Sequence, residues 1–131
     1  MKNEIYWLSW SVILTAVMVV PYAAYRVKKI GGLIQIFLNP LPGDDPFDDE
    51  WAHRAYRAHM NAFEGLILFA PMALAVSLTG HSTENTILAS AIYFWSRLAY
   101  TPLYYINAPF FRTAVWFVGF FATLYLAFQL V

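Results

Sequence analysis

The sequence predicts an all-α integral membrane protein folded as a four-helix transmembrane bundle, and three observations carry that reading. Of 131 residues, 60% are hydrophobic and only 12% charged, with a mean hydropathy of +0.52; soluble domains carry about 25% charged residues. Four apolar stretches each run for roughly 20 residues or more, enough to cross a hydrocarbon core of about 30 Å. The links "TGHST" and "NAP" are so short that the helices they join must be antiparallel neighbours.

The first helix is expected over about residues 5–27, with the basic flank "YRVKK" after its apolar stretch. A cleaved signal peptide has its positive charge in front and a small-residue cleavage site behind, so this segment reads as a retained anchor. Pro21, near its end, predicts a local kink. The long connection, about 28–50, is "KKIGGLIQIFLNPLPGDDPFDDE". Its Pro, Gly and Asp content marks water-facing backbone, whereas "LIQIFL" either extends the helix or lies in the membrane interface. The acidic run Asp44, Asp45, Asp48, Asp49 and Glu50 lacks regular ligand spacing, so it reads as a solvated loop and no metal site is expected. The remaining helices are expected over about 51–78, 83–106 and 109–131. With no internal repeat, residues 1–131 read as one domain.

Composition also excludes. The formal net charge is +0, which gives no footprint for a nucleic-acid partner, and there is no cysteine. Disulfides, thiolate metal sites and a cysteine nucleophile of this chain are therefore ruled out; a thiol, if the chemistry uses one, arrives on a ligand. Seven of the eight Lys and Arg residues (Arg26, Lys28, Lys29, Arg54, Arg57, Arg97, Arg112) lie on the side of the first and third loops, and Lys2 alone lies opposite. The positive-inside rule puts those loops in the cytoplasm and both termini on the other side.

The polar residues are not scattered. At about 100° per residue, Arg54, Arg57, Asn61 and Glu64 share an arc of roughly 80°, polar over about 15 Å of helix, while His59 points away. In the third helix Tyr93, Arg97, Tyr100 and Tyr104 form one stripe. In "PFFRTAVW" Pro109 suits a first helical turn and Arg112 lies about one turn in. A charged side chain at the bilayer centre costs about 2.5–3.5 kcal/mol, less near the ends. Snorkelling of Arg54 and Arg57, pairing of Glu64 with a neighbouring arginine and a tyrosine belt would account for single residues. They do not account for Asn61 and Glu64 one and two turns deeper on the arginine face. A pocket for a small zwitterion does. Arginine forks suit carboxylates, a glutamate accepts from an ammonium group, and an asparagine both donates to and accepts from an amide. Glutathione is such a molecule, and it brings the thiol that the chain lacks.

At these residues the sequence resembles a known family, the membrane-associated proteins in eicosanoid and glutathione metabolism. "RAYRAHMNAFE" is similar to the family's second-helix signature, with Arg57, Asn61 and Glu64, and "RLAYTPLY" to its third-helix pattern, with Arg97, Tyr100 and Tyr104. The likeness extends over essentially the whole chain. It implies a homotrimer with glutathione as co-substrate, bound between adjacent subunits near the cytoplasmic face. Arg57, Asn61, Glu64, Arg97, Tyr100 and Tyr104 would bind the tripeptide, with Arg26 reaching a carboxylate. Arg112 would be the catalytic arginine at the thiol, and Thr113 a further hydroxyl beside it. Prostaglandin-synthase-like members place the arginine two residues after the proline rather than three. They also have histidine where Tyr100 stands and tyrosine near Trp116, which argues against carrying over an isomerase activity.

The resulting expectation is a membrane enzyme that activates glutathione for conjugation to a lipophilic electrophile, or for reduction of a lipid hydroperoxide. The aromatic runs "IYFW" and "VWFVGFF" would line the lipophilic subsite. A non-catalytic lipid-binding scaffold of the same fold is the alternative, and the full polar set speaks against it. A proton or ion path through Glu64 would need a polar track across the outer halves of the helices, and none is visible.

Overall fold

The computed structural model describes residues 2–38, 47 and 49–131, so Asp44, Asp45 and Asp48 of the acidic run lie outside the described residues. All regular structure among the described residues is helical.

Helix α1, Glu4–Val17, is capped by the Asn3 side chain, which accepts from the Tyr6 N–H at 3.0 Å. It is followed, after Met18, by α2, Val19–Ile30. The break has a cause four residues later in the chain. Pro21 has no N–H to donate to the Val17 carbonyl, and its ring crowds that carbonyl, so the ladder is interrupted there. Gly31, at φ 106°, ends α2 in the left-handed conformation, and the N–H groups of Gly31 and Gly32 both donate to the Val27 carbonyl, at 3.2 and 2.9 Å. "LIQIFL" forms a separate short helix, α3, Leu33–Leu38.

Helix α4 runs over Glu50–Leu78 and continues through Pro71. Helix α5, Glu84–Tyr105, starts with a capping box in which Thr83 and Thr86 each bond the other's backbone N–H. The turn after it places Asn107 at φ 57°, a conformation asparagine tolerates, and Pro109 then opens α6, Pro109–Phe128.

Three segments, Glu4–Ile30, Glu50–Leu78 and Pro109–Phe128, are long and apolar enough to cross a membrane. At 22 residues α5 has the length but not the apolarity, because Glu84, Arg97 and several hydroxyl-bearing residues lie within it. Its polar positions turn inward: Thr86, Ser90, Ser96 and Arg97 are all buried. The sequence expectation of four spans is met in these terms by three, with the fourth helix packed among the others.

Helix α5 packs on α1, α4 and α6, and α4 packs on α1 and α6. At the centre Phe69 of α4 stacks on Tyr93 of α5 at 3.9 Å, surrounded by Ala73, Val76, Ala122 and Leu126. Small residues bring the backbones close there. A Cβ at Gly65 would lie 2.9 Å from the Tyr93 hydroxyl, and one at Gly119 would lie 2.6 Å from Ser96 Oγ. Outward, Ile67, Leu78, Trp95, Phe117, Phe121 and Phe128 are exposed, as suits helices whose solvent is lipid. At one end of the molecule the fully buried Glu4 accepts hydrogen bonds from Ser82 Oγ at 2.7 and 3.0 Å and from Thr86 Oγ1 at 2.5 Å, joining the start of α1 to that of α5.

A polar cleft between α4, α5 and α6

The third-helix stripe becomes part of a ladder of two adjacent tyrosine rings with an arginine at each end. The Arg97 guanidinium carbon lies 4.4 Å from the Tyr100 ring centre, Tyr100 and Tyr104 are 5.6 Å apart, and the Arg112 guanidinium carbon lies 4.4 Å from Tyr104. The i, i+3, i+7 spacing aligns the first three. The tight turn through Asn107 then sets the first turn of α6 beside the end of α5, which brings Arg112 to Tyr104. Arg112 also makes a long donation, 3.5 Å, to Asn107 Oδ1.

Two cavities open along this ladder. One, of about 200 Å³, is bordered by Asn61, Glu64, Gly65, Tyr93, Arg97 and Trp116, together with Phe120 and Thr123. The other, also about 200 Å³, is bordered by Asn61, Tyr100, Arg112, Thr113 and Trp116. Asn61 and Trp116 belong to both. Trp116 stacks on Phe120 at 5.1 Å and forms an apolar wall facing the polar residues.

The donor set is unspent at the centre. Arg97 is only 6% exposed, yet among the described residues its Nε and Nη2 meet no hydrogen-bond partner, and neither does Asn61 Oδ1. A buried polar group left unsatisfied costs about 1–3 kcal/mol, more for a charged one. A ligand that supplies a carboxylate to Arg97 and an amide N–H to Asn61 recovers that cost. Two guanidinium groups, one carboxylate and one amide are thus aimed into adjoining cavities, a set complementary to an anionic peptide with a free amine.

The other sequence-expected residues divide. Tyr104 is in the ladder, between Tyr100 and Arg112. Arg57 is exposed on α4 and borders neither cavity. Glu64 borders the larger cavity but is itself exposed on its outer side. Arg26 lies on the α2 side, its guanidinium carbon 4.3 Å from the Phe47 ring and 5.9 Å from that of Tyr56, away from both cavities. Thr113 donates its hydroxyl to the Pro109 carbonyl at 2.8 Å, inside its own helix. Arg54 donates from Nε to the Tyr105 carbonyl at 2.9 Å and so caps the end of α5. His59 is buried against Tyr22, whose hydroxyl lies 2.5 Å from Nδ1.

Sequence reasoning passed over Gly65, whereas Tyr93 and Trp116 lie in the runs "IYFW" and "VWFVGFF" expected to line the lipophilic subsite and are found here beside Asn61, Glu64 and Arg97. The signal for Tyr93 was present, since it shares the stripe with Arg97. For Gly65, which directly follows Glu64, the signal was a glycine in a helix otherwise free of it.

Comparison with protein families finds one whose model, the MAPEG family, matches residues 5–131. No curated protein and no solved structure matched the chain.

Proposed function

The chain belongs to the MAPEG family of membrane proteins in glutathione and eicosanoid metabolism, and from that premise we propose that it binds glutathione in the α4–α5–α6 cleft and activates its thiol. The second substrate is a lipophilic electrophile or hydroperoxide reaching the cleft from the bilayer. Arg97, Asn61 and Glu64 hold the tripeptide, Tyr100 and Tyr104 flank it, and Arg112 faces the sulfur. A free thiol titrates near about 8.5, and a guanidinium at a helix N-terminus favours the thiolate, which is the nucleophile. Arg112, in the first turn of α6, has both features. Trp116 and Phe120 offer the apolar wall against which the second substrate rests.

The observation that carries this reading is Arg97, a buried guanidinium with two nitrogens that meet no acceptor among the described residues, beside Asn61 with an oxygen likewise unpartnered among them. The size of the cavities extends it. Ligand pockets run to about 300–1,000 Å³, and each cavity here is smaller. A neighbouring copy packed on α4 would enlarge and close the site and would bring the exposed Arg57 and Glu64 into use. That is the arrangement of a homotrimer of four-helix transmembrane bundles, with the site near the cytoplasmic face and both termini opposite. Arg26 then acts from the edge, on a carboxylate, if the neighbour's cleft lies against α2.

Isothermal titration calorimetry of detergent-purified protein with millimolar glutathione is the test. Saturable binding is expected, weakened about tenfold or more in Arg57→Ala and in Glu64→Ala, the scale of one lost charge-assisted hydrogen bond. Absence of binding would leave the non-catalytic lipid-binding scaffold; binding with unaltered affinity in both variants would remove the α4 face from the site.

A further inference from the structure

Tyr93 of α5 reaches Gly65 of α4 where both line the larger cavity of the cleft. Its side chain is only 3% exposed and stacks on Phe69 at 3.9 Å, with the two planes 10° apart. That stack needs the ring alone, and phenylalanine would make it as well. The hydroxyl is an addition, and α4 gives up a side chain to house it. A Cβ at Gly65 would stand 2.9 Å from the Tyr93 oxygen but 3.8 Å, an ordinary contact, from the ring carbon that bears it. Glycine is a poor helix former beside alanine, so packing by itself favours phenylalanine facing alanine here.

We propose that the Tyr93 hydroxyl contacts the ligand and donates to the α-carboxylate of the γ-glutamyl residue, the same carboxylate that Arg97 binds, an assignment that rests on the glutathione reading of the cleft. Tyr93 and Arg97 stand one helical turn apart on α5 and border one cavity. Among the described residues the Tyr93 hydroxyl meets no hydrogen-bond partner, and neither do Arg97 Nε and Nη2. A guanidinium and a phenol are both donors, and a carboxylate, with two oxygens that only accept, takes the two at once. Glu64 decides which carboxylate. It borders the same cavity, and an acceptor for an ammonium group beside donors for a carboxylate matches an amino-acid head, in which both groups share one carbon. The glycyl carboxylate of the tripeptide has no ammonium group next to it.

An apolar occupant of this cavity would leave the hydroxyl and both Arg97 nitrogens buried and unpaired, which is costly. The amino-acid head uses all of them. Asn61 borders both cavities and has an unpartnered Oδ1. It therefore suits the γ-amide N–H, which leads from that head to the cysteine beside Arg112.

Calorimetric titration of the detergent-purified full chain with two ligands tests the assignment, in wild type and in Tyr93→Phe. The ligands are glutathione and 4-aminobutyryl-cysteinylglycine, the same tripeptide without the α-carboxylate. Phenylalanine keeps the stack on Phe69 and removes only the oxygen, so the variant is expected to fold, and a circular-dichroism melt checks that it does. Its affinity for glutathione is expected to fall about tenfold, as for loss of a hydrogen bond to a charged group. The analogue is expected to bind wild type and variant equally, because the group that Tyr93 serves is gone from it. Unchanged glutathione affinity in Tyr93→Phe would overturn the assignment. An equal loss for the analogue would overturn it too, since the hydroxyl would then act on the fold and not on the carboxylate. Failure of wild type to bind glutathione would instead overturn the reading of the cleft on which the assignment rests.

Discussion

Arg97 shows how burial and partnership decide what a charged residue is for. Arg54 and Arg97 are both arginines on inward-facing helix surfaces, but Arg54 spends its Nε on the Tyr105 carbonyl, whereas Arg97 has a ring to lie on and, among the described residues, no acceptor for Nε or Nη2. The first is part of the scaffold. The second is costly to the scaffold, because a buried charge without a hydrogen-bonded counter-group is among the least favourable things a fold can hold. Arg97→Met keeps the apolar stem and removes the charge. Its thermal midpoint is expected to stay level or rise, while glutathione affinity falls by about tenfold or more, as for loss of a hydrogen bond to a charged group. Loss of folded protein with affinity retained would make Arg97 a structural residue. The ion pair Arg54–Glu50, by contrast, spans 3.6 Å to a glutamate side chain that is 93% exposed, and contributes little.

At the scale of elements, the cleft is walled where α5 and α6 approach closely, Gly119 being one of its lining residues. Gly119 of α6 meets Ser96 of α5 where a Cβ would stand 2.6 Å from Oγ, and that hydroxyl is itself held by donation to the Tyr93 carbonyl at 2.7 Å. Gly119→Ala is therefore expected to lower stability by about 1–3 kcal/mol, as overpacking does. Ser96→Ala in the same chain should recover most of it, because the Ser96 Cβ is 3.8 Å away, an ordinary contact. A melt in detergent of the two single variants and the double variant checks this; additive losses would contradict the close approach. Much of this level was legible in advance. Periodicity and length mark the helices, and Pro21 marks a disturbance in the first. The sequence could not say that α2 would persist to Ile30, since its last turn is held by Gly31 and Gly32 donating to Val27, a bond pattern rather than a composition. Nor could it show that Glu4, 78 and 82 residues from its hydroxyl partners, would be buried whole.

For the whole molecule, what could be read from the chain was the set of residues and the faces they share; what could not be read was which faces meet. Asn61, Glu64, Arg97, Tyr100 and Arg112 border adjoining cavities because α4, α5 and α6 pack together. Arg57 shares the helix face of Asn61 and Glu64, yet it lies at the protein's outer surface, and Arg26 belongs to the neighbourhood of Phe47 and Tyr56. Helical angle alone does not separate a residue that looks into a cleft from one a turn away that looks out of it. The packing also explains how α5 can carry Thr86, Ser90, Ser96 and Arg97, since it touches α1, α4 and α6 and shelters these side chains from lipid.

Activation of a thiol at Arg112 is the claim on which the rest converges, and the thiolate absorbance of glutathione bound to the detergent-purified protein, followed as pH is raised, tests it most directly. A depressed thiol pKa leaves the thiolate present at all pH values above the lowered midpoint and lost only below it. The bound thiol is therefore expected to titrate well below the free value of about 8.5, and Arg112→Ala should return the midpoint toward that value while glutathione still binds. A midpoint for the wild-type complex equal to that of free glutathione would contradict thiol activation by this cleft.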